Sequence, residues 1–257
     1  MSNFGELEIR IRYSYLSEMG GKAEIQKAFA LALFIRYFNN AAIPRFSFNK
    51  LHEITGLHVN TLKKRINILK RLGIVKFVHG CLVIYNISTR HKKKNFRIPY
   101  DILTACRSVK HIEKIVRQFL VVKINLNKAF AKHNQDTLNN PRNLKEFREA
   151  KRVSRFYGYG NNPYVENGLS YNGIAKKLGV SRKTAVKVVS SCIEDGILIK
   201  TRNFEQIFHK GKVAKGKERY GFFTFSTKNN AYIVHANTYS LTPSLASFYP
   251  VVVIIRV

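Results

Sequence analysis

Acidic side chains are scarce in this chain of 257 residues: Asp and Glu together number 15 against 45 Lys plus Arg, and Asp occurs only at positions 101, 136 and 195. The formal net charge of +30 and the pI near 10.3 make a polyanion the natural partner, whether nucleic acid, an anionic membrane surface or an acidic protein. The same scarcity argues against metal-ion catalysis on nucleic acid, which needs clustered carboxylates to hold two cations about 4 Å apart. No Asp-x-Asp or Asp-x-Glu pair occurs, and the histidines include no His-x-His or His-x-x-x-His spacing that would suit zinc. No enzyme activity, cofactor or metal is therefore expected.

Cysteine is rare as well. Cys81, Cys106 and Cys192 form no Cys-x-x-Cys pair and cannot all be bridged internally, so they read as small buried hydrophobes. Long apolar runs are missing. The longest, Ala28 to Ile35, is bounded by Lys27 and Arg36 and falls far short of the roughly 20 residues that span a bilayer. The start, Met1 to Glu6, lacks the basic residues and apolar stretch of a secretory signal, so a cytoplasmic protein without a membrane partner is expected. What is present suffices for folding: 45% of residues are apolar and 12% aromatic, which excludes a disordered basic tail.

The most informative pattern is an internal repeat. Leu51–Val75 laid on Ile174–Leu198 without a gap brings Gly56 onto Gly179 and Gly73 onto Gly196. Leu57 then meets Val180, Thr61 meets Thr184, Leu62 meets Ala185, Lys64 meets Lys187, Ile66 meets Val189, and Ile74-Val75 meet Ile197-Leu198.

In the second copy Ser170 suits a helix N-cap, Ile174 and Leu178 lie one turn apart, and Ala175 is small enough for a close helix crossing. Gly179 ends that helix where a left-handed backbone is free of side-chain clash, and Ser181 caps the next. The following helix turns Ala185, Val188, Val189 and Cys192 inward and Arg182, Lys183 and Lys187 outward, with no acidic residue from Ser181 through Ile193. Two short helices joined by a glycine turn, the second polar and basic, fit the major groove of a duplex. At these residues the segment resembles the helix-turn-helix of bacterial and phage regulators. That resemblance implies that Ser181, Arg182, Lys183, Thr184 and Lys187 face double-stranded DNA; the alternative is a merely solvated basic face.

Gly196–Lys200 reads as a short strand and Tyr220–Thr227 as another, rich in aromatics and Thr. Between them His209–Arg219 is a glycine-punctuated basic loop, an expected wing whose Lys210, Lys212, Lys215, Lys217 and Arg219 would lie against phosphates. Gly211 to Lys217 matches most of a phosphate-cradling nucleotide loop, but Glu218 stands where Ser or Thr must hold magnesium.

The first copy follows the same logic, with Leu62, Ile66 and Leu69 inward, Asn60, Lys63, Lys64 and Lys70 outward, and His52 in the place of Ala175. Ile74–Val78 and Leu82–Ile87 should form a hairpin around His79-Gly80. Here His58, Asn60, Thr61, Lys63 and Lys64 are the candidate DNA contacts, and the unit could instead serve a homodimer. The run Arg90–Arg97, with Lys92, Lys93 and Lys94, is either a solvated linker or a phosphate-tracking segment.

Helices are expected at Glu24–Phe38, with Ile25, Ala28, Leu31, Ala32, Ile35 and Phe38 on one stripe, and at Ser108–Lys132, with Val109, Ile112, Val116 and Phe119 inward. A further helix would open at Pro141, with Leu144 and Phe147 inward, and Phe156–Pro163 reads as a loop in which Tyr157 and Tyr159 pack or stack. Glu6–Tyr13 alternates like a strand and could pair with the apolar tail Val251–Val257, unless that tail docks on a second subunit.

The expected fold is mainly α with small β-wings, an α+β chain of two tandem winged helix-turn-helix domains joined by a helical linker. Its parts are an N-terminal strand segment (1–20), a first winged helix (21–98), a connecting helix (99–140), a second winged helix (141–240) and an apolar C-terminal segment (241–257). This layout is similar to that of two-winged-helix plasmid and phage replication initiators. The similarity implies a sequence-specific DNA-binding protein of a bacterial cell or phage-infected host, with a transcription regulator and a non-specific packaging protein as rival readings.

Overall fold

The computed structural model describes residues 8–88, 95–100, 108–139, 169–201, 204–209, 212–213, 223–227, 230–234 and 237–243, with the single residues 102, 106 and 245. Among them are seven helices and four small antiparallel sheets. The chain divides into two compact units. One contains the described residues up to Val121 together with Ala175–Ser191; the other contains those of Val122–Ile174 and from Cys192 onward.

The first unit opens with β1 (Glu8–Arg12), α1 (Tyr13–Met19) and α2 (Ala23–Phe38). The expected single apolar stripe on α2 is too narrow. Ala28 through Ile35 are all buried, because α1 and the segments Ala42–Ile43, Val59–Arg71 and Cys81–Ile84 pack around this helix, while Phe38 is exposed and stacks on Phe34. A run of alternating large apolar and Ala side chains suits a helix enclosed on several sides. Then come β2 (Ala42–Ile43), α3 (Phe48–Thr55), α4 (Val59–Arg71), β3 (Val75–Val78) and β4 (Cys81–Ile84). Sheet order β2-β4-β3 is closed by a two-residue turn in which His79 (φ 46°) and Gly80 (φ 73°) are both left-handed, matching the twist of a tight hairpin.

β1 pairs antiparallel with β5 (Asn95–Pro99), aligning Ile9 with Ile98 and Ile11 with Phe96, all buried. One expectation changes here: the end of the Arg90–Arg97 run is a strand, not a linker, and it pairs with β1. Alternating Phe96 and Ile98 supply an apolar face that the preceding lysines obscured in sequence. Val251–Val257, the other partner considered for the first strand, lies outside the described residues.

α5 (Val109–Asn139) starts at a Ser108 cap, whose hydroxyl accepts from His111 N–H at 3.2 Å, and outlasts the expected end at Lys132. Val109, Ile112, Val116 and Phe119 are buried, and its β-branched Val121 and Val122 are fully so. Tertiary burial outweighs their weak helix preference. The helix expected from Pro141, with Leu144 and Phe147, and the Tyr157–Tyr159 loop lie outside the described residues.

The second copy comprises α6 (Tyr171–Leu178), α7 (Arg182–Glu194) and β6 (Leu198–Thr201). Each of their ends falls on the aligned residue of α3, α4 and β3. The local devices match too. Ser47 accepts from Lys50 N–H at 3.1 Å and Ser170 from Gly173 N–H at 3.0 Å, so both copies begin on a serine N-cap. Gly56, Gly73, Gly179 and Gly196 share φ 66°, a left-handed conformation that carries no side-chain penalty in glycine. Ile74 N–H bonds Leu69 O at 2.9 Å and Ile197 N–H bonds Cys192 O at 2.8 Å, so the chain leaves both second helices in the same way.

The strand after β6 differs from expectation. β6 pairs with β11 (Thr238–Leu241), not with Tyr220–Thr227. Thr242 N–H bonds Ile197 O at 3.3 Å as Tyr85 N–H bonds Ile74 O at 2.9 Å, which makes β11 the counterpart of β4. Between β6 and β11 the chain builds a separate sheet of order β8-β7-β10-β9, from β7 (Phe204–His209), β8 (Lys212–Val213), β9 (Phe223–Thr227) and β10 (Asn230–Val234).

Candidate nucleic-acid interface

α7 offers the clearest cationic face. Ser181 accepts from Thr184 N–H at 3.2 Å and its hydroxyl lies 3.0 Å from that of Thr184, so both side chains serve the cap rather than standing free. Arg182, Lys183 and Lys187 are exposed, while Ala185, Val188, Val189 and Cys192 are buried as expected. Arg182, Lys183, Val186 and Lys187 line a shallow depression of about 400 Å³. Lys183 and Lys187 stand one turn apart, and like charges at that spacing weaken a helix. Arg182 and Lys183 also sit where the helix dipole is positive, which disfavours cations and attracts anions. Among the described residues no carboxylate forms an ion pair with these three. The face therefore gains from an external anion.

α4 presents a related face with different chemistry. His58 Nδ1 accepts from Asn60 N–H at 3.2 Å, replacing the serine cap of α7 with an imidazole. His58, Asn60, Lys63 and Lys64 are exposed and Thr61 is half-buried. Lys63 Nζ lies 5.8 Å from the ring centre of Phe48. His52 turns outward and its Nδ1 donates to Leu57 O at 2.9 Å, so it braces the inter-helix turn instead of crowding the helix crossing.

Several supports were not legible as such. Arg65, in the middle of basic α4, is buried and pairs with Glu113 of α5 at 2.7 Å, while its Nη1 donates to Lys27 O of α2 at 3.4 Å. A lone Arg flanked by Leu62, Ile66 and Leu69 gave only a weak cue. Gln26, on α2, donates to Met19 O at 3.0 Å and Leu178 O at 2.6 Å; Gly21 N–H donates to Lys177 O at 2.8 Å. The α1–α2 corner thus clasps the end of α6. Gln118 on α5 donates to Ser191 of α7 at 3.0 Å, fixing the helix along its inner side.

Lys212 belongs to β8, away in sequence from any strand that pairs with β6. Lys210, Lys215, Lys217 and Arg219 lie outside the described residues, as do Lys92, Lys93 and Lys94. Cys106 and Cys192 are buried and Cys81 half-buried, all three as free thiols; burial pushes the Cys106 thiol up to about 11. Among the described residues no helix is long and apolar enough to cross a membrane. No protein-family model matches the chain, nor does a curated protein or a solved structure.

Proposed function

We propose that this chain is a sequence-specific double-stranded DNA-binding protein built from two winged helix-turn-helix units, with α7 as the principal reading helix. The observation that carries the reading is the repeated helix, left-handed glycine, helix, strand unit, whose second copy exposes Arg182, Lys183 and Lys187 with no ion-paired carboxylate among the described residues. A 13-residue helix with this face has the size and charge to enter a major groove. Arg182 is the side chain best suited to bidentate contact with a base, and Lys183 and Lys187 to phosphates. The proposed role is binding, without catalysis or cofactor, and its layout suits replication initiation.

Arg182→Ala should lower the preference for the target site by about 1–3 kcal/mol, the worth of one good base contact, while Lys187→Ala weakens all duplexes alike. With about eight phosphates neutralised, log K should fall with log salt at a slope of about −7. Competition between target and shuffled duplexes at high salt is the test. The net charge of +30 favours a second reading, bulk packaging of nucleic acid, and equal binding of both duplexes would establish it instead. Bound sites repeated beside an AT-rich segment would mark an initiator, and sites over promoters a transcription regulator.

A further inference from the structure

Phe77 stands opposite the fully buried Leu82 and two residues beyond the buried Val75, which puts it on the inward face of the β3–β4 hairpin, yet it is 49% exposed. The hairpin overhangs its core. Phe46 meets Phe77 edge to face, with ring centres 5.3 Å apart and planes at 62°, and Phe46 meets Phe48 in the same manner at 5.1 Å and 74°. Phe46 is fixed by its N–H bond to Gly80 O at 2.8 Å; Phe48 is fixed as the first residue of a capped helix. Lys63 closes the far end of this ladder over the Phe48 ring. A single exposed apolar residue is ordinary, but three interlocked rings form a rigid platform ending in a free aromatic face.

The surroundings say what would cover it. Arg45 precedes the ladder and is exposed, Lys50 follows it, and from residue 39 to residue 100 Glu53 is the single acidic side chain in the sequence. An apolar protein partner has no use for such a rim, whereas a nucleic-acid strand supplies both a flat π-face and a phosphate chain. A duplex shows only base edges in its grooves, so a stacking ring selects an unpaired base. We propose that Phe77, backed by Phe46 and Phe48, is a stacking site for an unpaired base of single-stranded nucleic acid, with the exposed Arg45 and Lys63 facing its phosphates. This goes beyond the duplex reading and does not depend on α7.

The chain contains no Trp, so Phe77→Trp installs its sole indole at the proposed contact. Its emission should be quenched by an oligothymidylate single strand and little changed by a duplex of equal length. Phe77→Ala should weaken single-strand binding about tenfold, the loss typical of one base stack, with duplex affinity unchanged and with Phe77→Trp retaining the wild-type value. Unquenched emission with the single strand, or equal weakening of single strand and duplex in Phe77→Ala, would overturn the proposal. So would a drop in sedimenting mass in Phe77→Ala, which would mark a self-association surface. Loss of duplex specificity with intact quenching would count against the role of α7 and leave this site standing.

Discussion

The two copies of the repeat agree position for position in their helix bounds, the serine cap of the first helix and the glycine turns, yet they are held in different ways. Gly56 and Gly179 have the same φ and the same place between helices. A Cβ on Gly56 would meet nothing within 4 Å among the described residues, whereas one on Gly179 would run into the backbone of Gly21. The aligned pair Arg65 and Val188 differs likewise. The first is a buried cation tied to Glu113, the second a buried apolar side chain. The hairpins diverge most: β3 and β4 join through two residues, while β6 and β11 are separated by a four-stranded sheet. Local sequence built the same motif twice, and the surroundings gave each copy its own attachment.

Substitutions at aligned positions turn this contrast into measurements. The largest difference is expected at the Arg65 and Val188 positions. Arg65→Ala strands a carboxylate that is only 13% exposed and should cost about 3 kcal/mol in denaturant unfolding. Val188→Ala removes only apolar volume and should cost about 2 kcal/mol. Joint replacement of Arg65 by Met and Glu113 by Leu should recover most of the loss; if Arg65→Ala alone is no worse than Val188→Ala, the ion pair does not hold α4.

Next come the glycines. Gly56→Ala should cost about 1 kcal/mol for its left-handed backbone, and Gly179→Ala about 3 kcal/mol, because the Gly21 corner must also move. Equal losses would mean that the clasp on α6 contributes nothing. The shared devices should instead behave alike: Ser47→Ala and Ser170→Ala should each cost about 1 kcal/mol, and a strongly unequal pair would show that one copy does not rely on its cap.

The smallest effect concerns alkaline pH. Burial raises the pKa of Cys106 from 9.0 to about 11 and also raises those of Tyr15 and Tyr239, the latter with help from Tyr171. The fold therefore keeps protons that the unfolded chain releases. Stability from these groups is complete below about pH 9 and declines as pH rises toward the folded-state values. A pH series of unfolding curves checks this, and a flat profile from pH 8 to 11 would contradict it.

Much of the local structure could be read directly. The caps at Ser170 and Ser181, the left-handed Gly179, the buried stripe Leu62, Ile66 and Leu69, and the turn at His79-Gly80 follow from backbone sterics and periodicity within a few residues. The same holds for the outward Arg182, Lys183 and Lys187. Pairings across distance were less visible. Tyr220–Thr227 had the composition of a mate for β6, and nothing local announced that Thr238–Leu241 would take that place. Lys92–Lys94 masked the strand beside them in the same way. Phe46 and Phe48 lie far along the chain from Phe77, and only the hairpin brings the three rings into one ladder.

By itself, then, the order of residues determined where helices start and stop and which of their sides are greasy, since those properties depend on neighbours within one or two turns, and its composition fixed the excess of 45 cations over 15 anions. Only the tertiary structure decided that Gln26 and Gly21 would grip α6, that Arg65 would find Glu113, and which strand would lie beside β6. Such choices are settled by competition among distant surfaces for burial and for satisfied polar groups, and no short window of sequence contains both competitors.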